Sequence, residues 1–349
     1  MSFFQSISIA SQERIHSQVF SWFFSPDCKA TNEHNKISLL EKIVGQGFSS
    51  EKIIKVTTEE ENIDIIIYKD KAIVAFENKI KSTTHSNQLE KYDSILSKKP
   101  INQVYKIYLS LFDEDINNTN WKLITHRDVS KIFQSISYNT SSNDSVIFQD
   151  YLEFYTTLGD SAFEFLKTPS GFERVFKDGS LKKHEKSISS YASSLESFIC
   201  INQLETIFQK MFYKKLAQDL GFSSQDYLIE ETRGNALINL YVSDFIKEEV
   251  VYQLGVQLQR NSIKVIFQDK AYNKSSHKNL PERVVKFFKE NLFFKNKSES
   301  FNPPRSKCYF SKSATFVWGS QLDELRKREI SELIASLKGD ITPKLNGLI

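Results

Sequence analysis

The sequence predicts an α/β chain whose first part builds a sheet flanked by helices and whose second part is α+β. Three observations carry that expectation. Helical spacing opens the chain, three short apolar runs of strand length follow it, and helix-like and strand-like segments then alternate to about residue 137. Of 349 residues, 40% are apolar and 26% charged, while Gly (11) and Pro (7) are scarce, so the composition suits a packed core rather than a collagenous or disordered chain.

Each element follows from its own pattern. Ile15, Val19, Phe20, Phe23 and Phe24 recur at helical spacing over residues 10–24, and Pro26 with Asp27 ends the segment. A second helix is expected over 36–44, closed by Gly45. Apolar runs at 53–57, 63–68 and 72–76 read as strands, and Lys69-Asp70-Lys71 is a connection of hairpin length, so the last two should pair antiparallel. A polar stretch, 81–87, leads to a helix over 88–98 stopped by Pro100. A strand over 103–112, a short one over 121–124 and a helix over 128–136 complete this part. The six small polar residues 139–144 form the linker expected between a first domain, 1–140, and a second, 141–349. In the second, helices are expected at 146–167, 193–218, 281–293 and 321–338, with strands at 227–231, 236–242, 250–259 and 262–269.

Composition also narrows function. No run of about 18 apolar residues exists to span a bilayer, and the first residues lack the basic and apolar regions of a secretory leader, so a cytoplasmic protein without a membrane partner is expected. Cys28, Cys200 and Cys308 are too sparse for a disulfide framework or a structural zinc site. The formal charge is +3, with 17 Lys and Arg against 19 Asp and Glu in residues 1–150, so the basic surplus lies in the second half. Neither a Walker A nor a GxGxxG stretch occurs, and no repeat is found.

The chemistry-bearing stretch runs from Glu61 to Lys79. Alternation along a strand sets Asp64 on the face of Ile66, opposite Ile63, Ile65 and Ile67, and sets Glu77 with Lys79 on one face of the following strand. Two carboxylates and a lysine are thereby placed to converge at one end of a hairpin. An acidic residue interrupting an apolar strand is costly unless paired or metal-bound, which makes Asp64 a site candidate.

Asp64, followed at Glu77 by Glu-Asn-Lys79 in the form E-x-K, resembles the PD-(D/E)XK nuclease superfamily, and the order of helix, three strands, helix and strand is similar to its core. Gln88-Leu-Glu-Lys-Tyr92 has the Q-x-x-x-Y form of RecB-like members, and its i, i+4 spacing sets Gln88 and Tyr92 on one helix face. Glu13-Arg-Ile-His16 with Ser25-Pro26-Asp27 is similar to the first helix of an uncharacterised bacterial subfamily. Ile63 stands where the superfamily's name has proline, and the resemblance covers about residues 10–137.

The resemblance implies a restriction-endonuclease-like mixed sheet core flanked by helices, and a nuclease, with DNA favoured over RNA, acting in anti-phage defence or restriction. It implies Mg²⁺, replaceable by Mn²⁺, held by Asp64, Glu77 and the carbonyl of Asn78, with Glu13 contributing through water. Lys79 would orient or help deprotonate the attacking water, and Gln88 and Tyr92 would hold the nucleic-acid backbone or buttress the site. The alternative is an inactive nuclease-fold scaffold, with Asp64, Glu77 and Lys79 as a structural ion cluster and nucleic acid or a protein as partner.

Simpler readings stand beside these. Glu13 also suits a helix N-terminus, His16, His34 and His85 read as core or surface histidines, and Glu59-Glu60-Glu61 reads as a solvated strand entry with Glu59 near the site. Residues 270–307 carry ten Lys and Arg against three Glu, interleaved with Phe287, Phe288, Phe293 and Phe294. Lys274, Lys278, Arg283, Lys286, Lys289, Lys295 and Lys297 are therefore weak candidates for phosphate contacts, the alternative being a helix with phenylalanines inward and lysines outward. The strand 252–260 alternates polar and apolar as a one-sided sheet would. The second domain is expected to select substrate, sense a signal or form a homodimer, and a regulatory protein partner is a further possibility.

Overall fold

In the computed structural model, the described residues are 3–45, 47–48, 50–81, 87–114, 116, 118–176, 195–232, 234–259, 262–270, 282–291, 300–302, 307–312 and 323–349. The chain divides into two compact units, Met1–Lys167 with Leu181–Leu204, and Thr168–Ser180 with Glu205–Ile349.

The first unit runs α1 (Phe3–Ser6), α2 (Glu13–Phe24), α3 (Glu33–Val44), β1 (Ile53–Glu60), β2 (Ile63–Lys69), β3 (Ala72–Lys79), α4 (Gln88–Leu96), β4 (Gln103–Ser110), β5 (Lys122–Thr125), α5 (His126–Gln134) and α6 (Asn143–Lys167). Local chemistry sets the ends: the Asn32 side chain accepts from Asn35 N at the start of α3, Gly45 takes a φ of 98° at its end, and Thr125 caps α5. The linker expected at 139–144 instead leads into α6, whose first residues are Asn143 and Asp144 and which packs against α5.

The sheet has order β1-β2-β3-β4-β5, with β1, β2 and β3 successively antiparallel and β3, β4 and β5 parallel. The mixed α/β core is therefore as expected. β3 is the central strand, and all its residues but Lys79 are buried, because both of its faces are covered. One face carries Ile66, Ile73, Ala75 and Tyr108 into a core with Leu89, Tyr92 and Leu96 of α4, closed by Trp121. Ile66 lies opposite Ala75 and Ile65 opposite Phe76, so one step further along the ladder Asp64 is level with Glu77 on the α4 face.

The buried stripe of α2 is His16, Ser17, Phe20, Phe23 and Phe24. It includes His16 and leaves Ile15 and Val19 half-buried, because the long helix α6 also packs on α2 and supplies Tyr151 and Phe148. Gly159 of α6 faces Arg127 so closely that an added Cβ would lie 2.7 Å from Arg127 Cα and 2.8 Å from its N. Gly159→Ala should therefore lower stability by about 1–3 kcal/mol despite alanine's better helix propensity. Urea denaturation of the variant checks this, and an unchanged midpoint would contradict it.

Between the units, the single helix expected at 193–218 is two: α8 (Leu195–Ile201) in the first unit and α9 (Glu205–Asp219) in the second. Gln203 takes a left-handed φ of 57° there, which a continuous helix excludes.

The second unit contains α7 (Glu173–Phe176), α9, α10 (Glu282–Glu290), α11 (Asp323–Ser336), α12 (Thr342–Asn346) and six strands. These are β6 (Tyr227–Thr232), β7 (Asn235–Lys247), β8 (Val250–Gln259), β9 (Ser262–Asp269), β10 (Ser300–Asn302) and β11 (Lys307–Lys312). They form one antiparallel sheet of order β10-β11-β9-β8-β7-β6, so the second half is α+β. The last two strands lie beyond those expected from the sequence, which end at 269. The one-sided sheet expected from 252–260 is a correction: Gln253 and Gln257 are buried at 6% and 5% exposure. Gln257 Nε2 donates to Asn239 Oδ1 at 2.7 Å and Gln253 Nε2 to Asp244 Oδ1 at 3.1 Å, so the polar face satisfies itself through cross-strand bonds.

Candidate active site

The end of the β2–β3 hairpin and the first turns of α2 and α4 meet at Asp64 and Glu77. Glu77 is 1% exposed, and its Oε1 accepts from Lys79 Nζ at 2.6 Å and from Gln88 Nε2 at 2.8 Å. Its Oε2 is buried without a hydrogen-bond partner. Asp64 Oδ2 accepts from Asn78 N at 2.7 Å. Gln88 Nε2 also reaches Tyr92 OH at 2.8 Å, and Tyr92 OH donates to Asn62 O at 2.6 Å. One helical turn of α4 thus links Glu77 to the β1–β2 turn, where Glu59, Glu61 and Asn62 all take positive φ.

Glu13 stands at the first turn of α2, and its Oε1 accepts from Ile80 N at 2.7 Å and Lys81 N at 2.8 Å. Asn78 turns its side chain away from the carboxylates, its Nδ2 donating to Glu13 O at 3.1 Å and Ser17 Oγ at 3.2 Å. The structure therefore brings Asp64, Glu77, Lys79, Gln88 and Tyr92 into one constellation, with Glu13 beside it and Asn78 able to offer only backbone atoms.

Among the described residues, the site holds more negative than positive charge. Burial, with Asp64 beside it, pushes Glu77 up to about 8 against the pull of Lys79. Burial pushes Asp64 up to about 6, helped by Glu59 and Glu13 and opposed by the Asn78 amide and Lys79. Burial works to lower Lys79, but Glu77, Glu13 and Asp64 outweigh it and hold its ammonium above the usual lysine value. One lysine faces three carboxylates, so a cation would relieve the imbalance.

In the comparison with protein families, residues 1–158 match the PD-(D/E)XK nuclease superfamily. Residues 1–158 belong to that superfamily. Comparison with the curated proteins and with the solved structures found no match. Nucleases of the PD-(D/E)XK type generally depend on a divalent metal. The residues fit such an ion: Glu77 Oε2 is an orphaned buried oxygen, and Asp64 is level with it on the same face. Among the described residues, no group of three or more His, Cys, Asp or Glu side chains is placed to hold a metal ion; Mg²⁺, which keeps several waters, is bound through one or two carboxylates.

Sequence reasoning missed several supporting residues. Asp93, next to Tyr92, accepts from Trp121 Nε1 at 3.0 Å, Lys106 Nζ at 2.6 Å and Asn118 Nδ2 at 2.8 Å, tying α4 to β4 and to the residues before β5. Glu60, expected to be solvated, is bonded to Lys99, Tyr68 and Thr57, which hold its carboxyl down at about 2 against its burial. Glu60 lies 39 residues from Lys99, and Asp93 25 and 28 residues from Asn118 and Trp121, so no local periodicity points to these bonds.

His16 and His126 are fully buried. His85, Lys274, Lys278, Lys295 and Lys297 lie outside the described residues. Arg283, Lys286 and Lys289 lie on α10, where Arg283 and Lys286 are exposed and Val284 and Phe288 buried. That is the arrangement of an amphipathic helix with its phenylalanine inward. Among the described residues no helix is long and apolar enough to cross a membrane.

Proposed function

We propose that the N-terminal unit is a divalent-metal-dependent phosphodiesterase that cleaves nucleic acid, DNA in preference to RNA. The observation that carries this reading is the unpartnered Glu77 Oε2 beside Asp64, in a buried site short of positive charge. Asp64, Glu77 Oε2 and the Asn78 carbonyl would hold Mg²⁺, or Mn²⁺ in its place, and Glu13 would reach it through water. When bound, the ion supplies charge that offsets what develops on the phosphoryl oxygens.

The chain's own residues do the rest. Lys79 keeps its proton and sits 2.6 Å from Glu77 Oε1, so its ammonium is placed to orient the attacking water and to neutralise charge beside the scissile phosphate. Gln88 holds Glu77, and Tyr92 holds Gln88, which favours a buttressing role for that pair over direct contact with the nucleic-acid backbone. In this reading the second unit selects the substrate, senses a signal, or pairs two copies or a regulatory partner. Anti-phage defence or restriction in the cytoplasm is the proposed setting.

Purified protein is to be incubated with supercoiled plasmid, linear duplex, single-stranded DNA and RNA in Mg²⁺, Mn²⁺ or EDTA, beside Glu77→Ala. The expected result is metal-dependent degradation of DNA, absent in EDTA and in the variant. No cleavage in any lane, together with no Mn²⁺ binding by calorimetry, would refute the proposal in favour of an inactive scaffold.

A further inference from the structure

Two buried histidines, each paired with a tyrosine of α6, lie behind the candidate site. His16 Nδ1 is 2.7 Å from Tyr151 OH and its Nε2 3.1 Å from Ala10 O. His126 Nδ1 is 2.8 Å from Tyr155 OH and its Nε2 3.2 Å from Lys79 O. Tyr151 and Tyr155 are one turn apart, their rings stacked with centroids 5.6 Å apart. A carbonyl only accepts, so in each ring Nε2 carries the proton and Nδ1 accepts from the tyrosine hydroxyl. The two pairs are near copies, but among the described residues it is His126, and not His16, whose ring hydrogen-bonds to the E-x-K strand.

That contact falls where β3 ends. Lys79 O also accepts from Leu111 N at 3.1 Å, and the next two amides, of Ile80 and Lys81, both donate to Glu13 Oε1. The exit of β3 is thus held by an imidazole from α5 and by a carboxylate from α2. The Lys79 side chain leaves the backbone at this point to reach Glu77, so any shift of the strand end moves its ammonium.

We infer that His126, oriented by Tyr155, is a positioning residue that fixes the backbone of Lys79 for catalysis. The inference rests on the nuclease reading above. Removing the Tyr155 hydroxyl leaves His126 Nδ1 buried without a donor and takes away the contact that fixes the ring plane, so the ring can tilt and weaken its Nε2–H bond to Lys79 O. A displacement of about 1 Å at a catalytic group costs on the order of a hundredfold in rate.

The test uses the matched tyrosines in the full chain, with steady-state cleavage and thermal unfolding measured together. Tyr155→Phe should lower kcat by about 10- to 100-fold with KM within about twofold, whereas Tyr151→Phe, an equal loss of a buried hydroxyl, should leave kcat within about twofold. His126→Leu should lower kcat at least as far, and His126→Gln, whose amide can donate to the same carbonyl, should recover most of it. Should His126→Leu not fold, the tyrosine pair decides alone. Equal effects of the two tyrosine variants, a change in KM instead of kcat, or no rescue by Gln would each overturn the role of His126. Wild-type protein that cleaves nothing overturns the nuclease reading and this inference with it, whereas wild-type cleavage with Tyr155→Phe unchanged overturns only the inference.

Discussion

Asp64→Asn should lower cleavage by at least about 10²- to 10³-fold, while its Tm in EDTA at pH 8 is no lower than that of wild type. The asparagine oxygen can still accept from Asn78 N, so the hydrogen bond at 2.7 Å survives. What disappears is a half-buried charge. Burial, with Glu59 and Glu13, raises the Asp64 carboxyl to about 6 in the folded state. A carboxyl raised above its unfolded value of about 3.9 contributes stability below that value and loses it as pH rises through about 6, so at pH 8 the charge is a net cost. A structural ion cluster makes the opposite demand, because Lys79 would lose an attractive neighbour and Tm would fall. Calorimetric scanning in EDTA and with Mn²⁺ separates the two: the ion should raise Tm for wild type and not for Asp64→Asn. A Tm clearly below wild type in EDTA would favour the scaffold.

The largest expected effect on stability comes from acid, acting on His16 and His126. Burial lowers His16 to about 4 and, with His16 beside it, lowers His126 to about 3, against an ordinary value of 6.5. With the folded values depressed, the unfolded chain binds more protons below pH 6.5, so the stability present above that pH is lost progressively as pH falls toward the folded values. Between pH 6.5 and 5 each histidine should remove about 2 kcal/mol, at about 1.4 kcal/mol per pH unit. Asp64 and Glu77 act in the opposite direction, since their folded values are raised. Urea denaturation is therefore followed in Asp64→Asn/Glu77→Gln, where these carboxylates no longer titrate. A flat stability over this window would show that the histidines are not buried as neutral rings.

Much of the candidate site was legible along the chain because it is built on two adjacent strands. Period-2 alternation and the hairpin connection Lys69-Asp70-Lys71 put Asp64, Glu77 and Lys79 on one face, and the ladder Ile66 to Ala75 keeps them there. The i, i+4 spacing of Gln88 and Tyr92 likewise belongs to a single helix turn, and their bond at 2.8 Å follows from it. The boundary between the units was less legible, because the polar residues 139–144 have the composition of a linker but also supply the start of α6. The break at Gln203 carries no Gly or Pro to announce it.

Local period and spacing by themselves determined the order of elements, the antiparallel pairing of β2 with β3 and the convergence of the acidic pair with Lys79, while the mixed sheet was implied by the family resemblance. Only the tertiary structure decided that Glu13 spends an oxygen on the exit of β3, that Gln88 turns to Glu77, and that His126 holds Lys79 O. It also decided that the glutamines of β8 are buried among their neighbours. The physical reason is the same in each case: a strand's period says which side chains share a face, but the partner that satisfies a buried polar atom comes from a distant segment, chosen by packing.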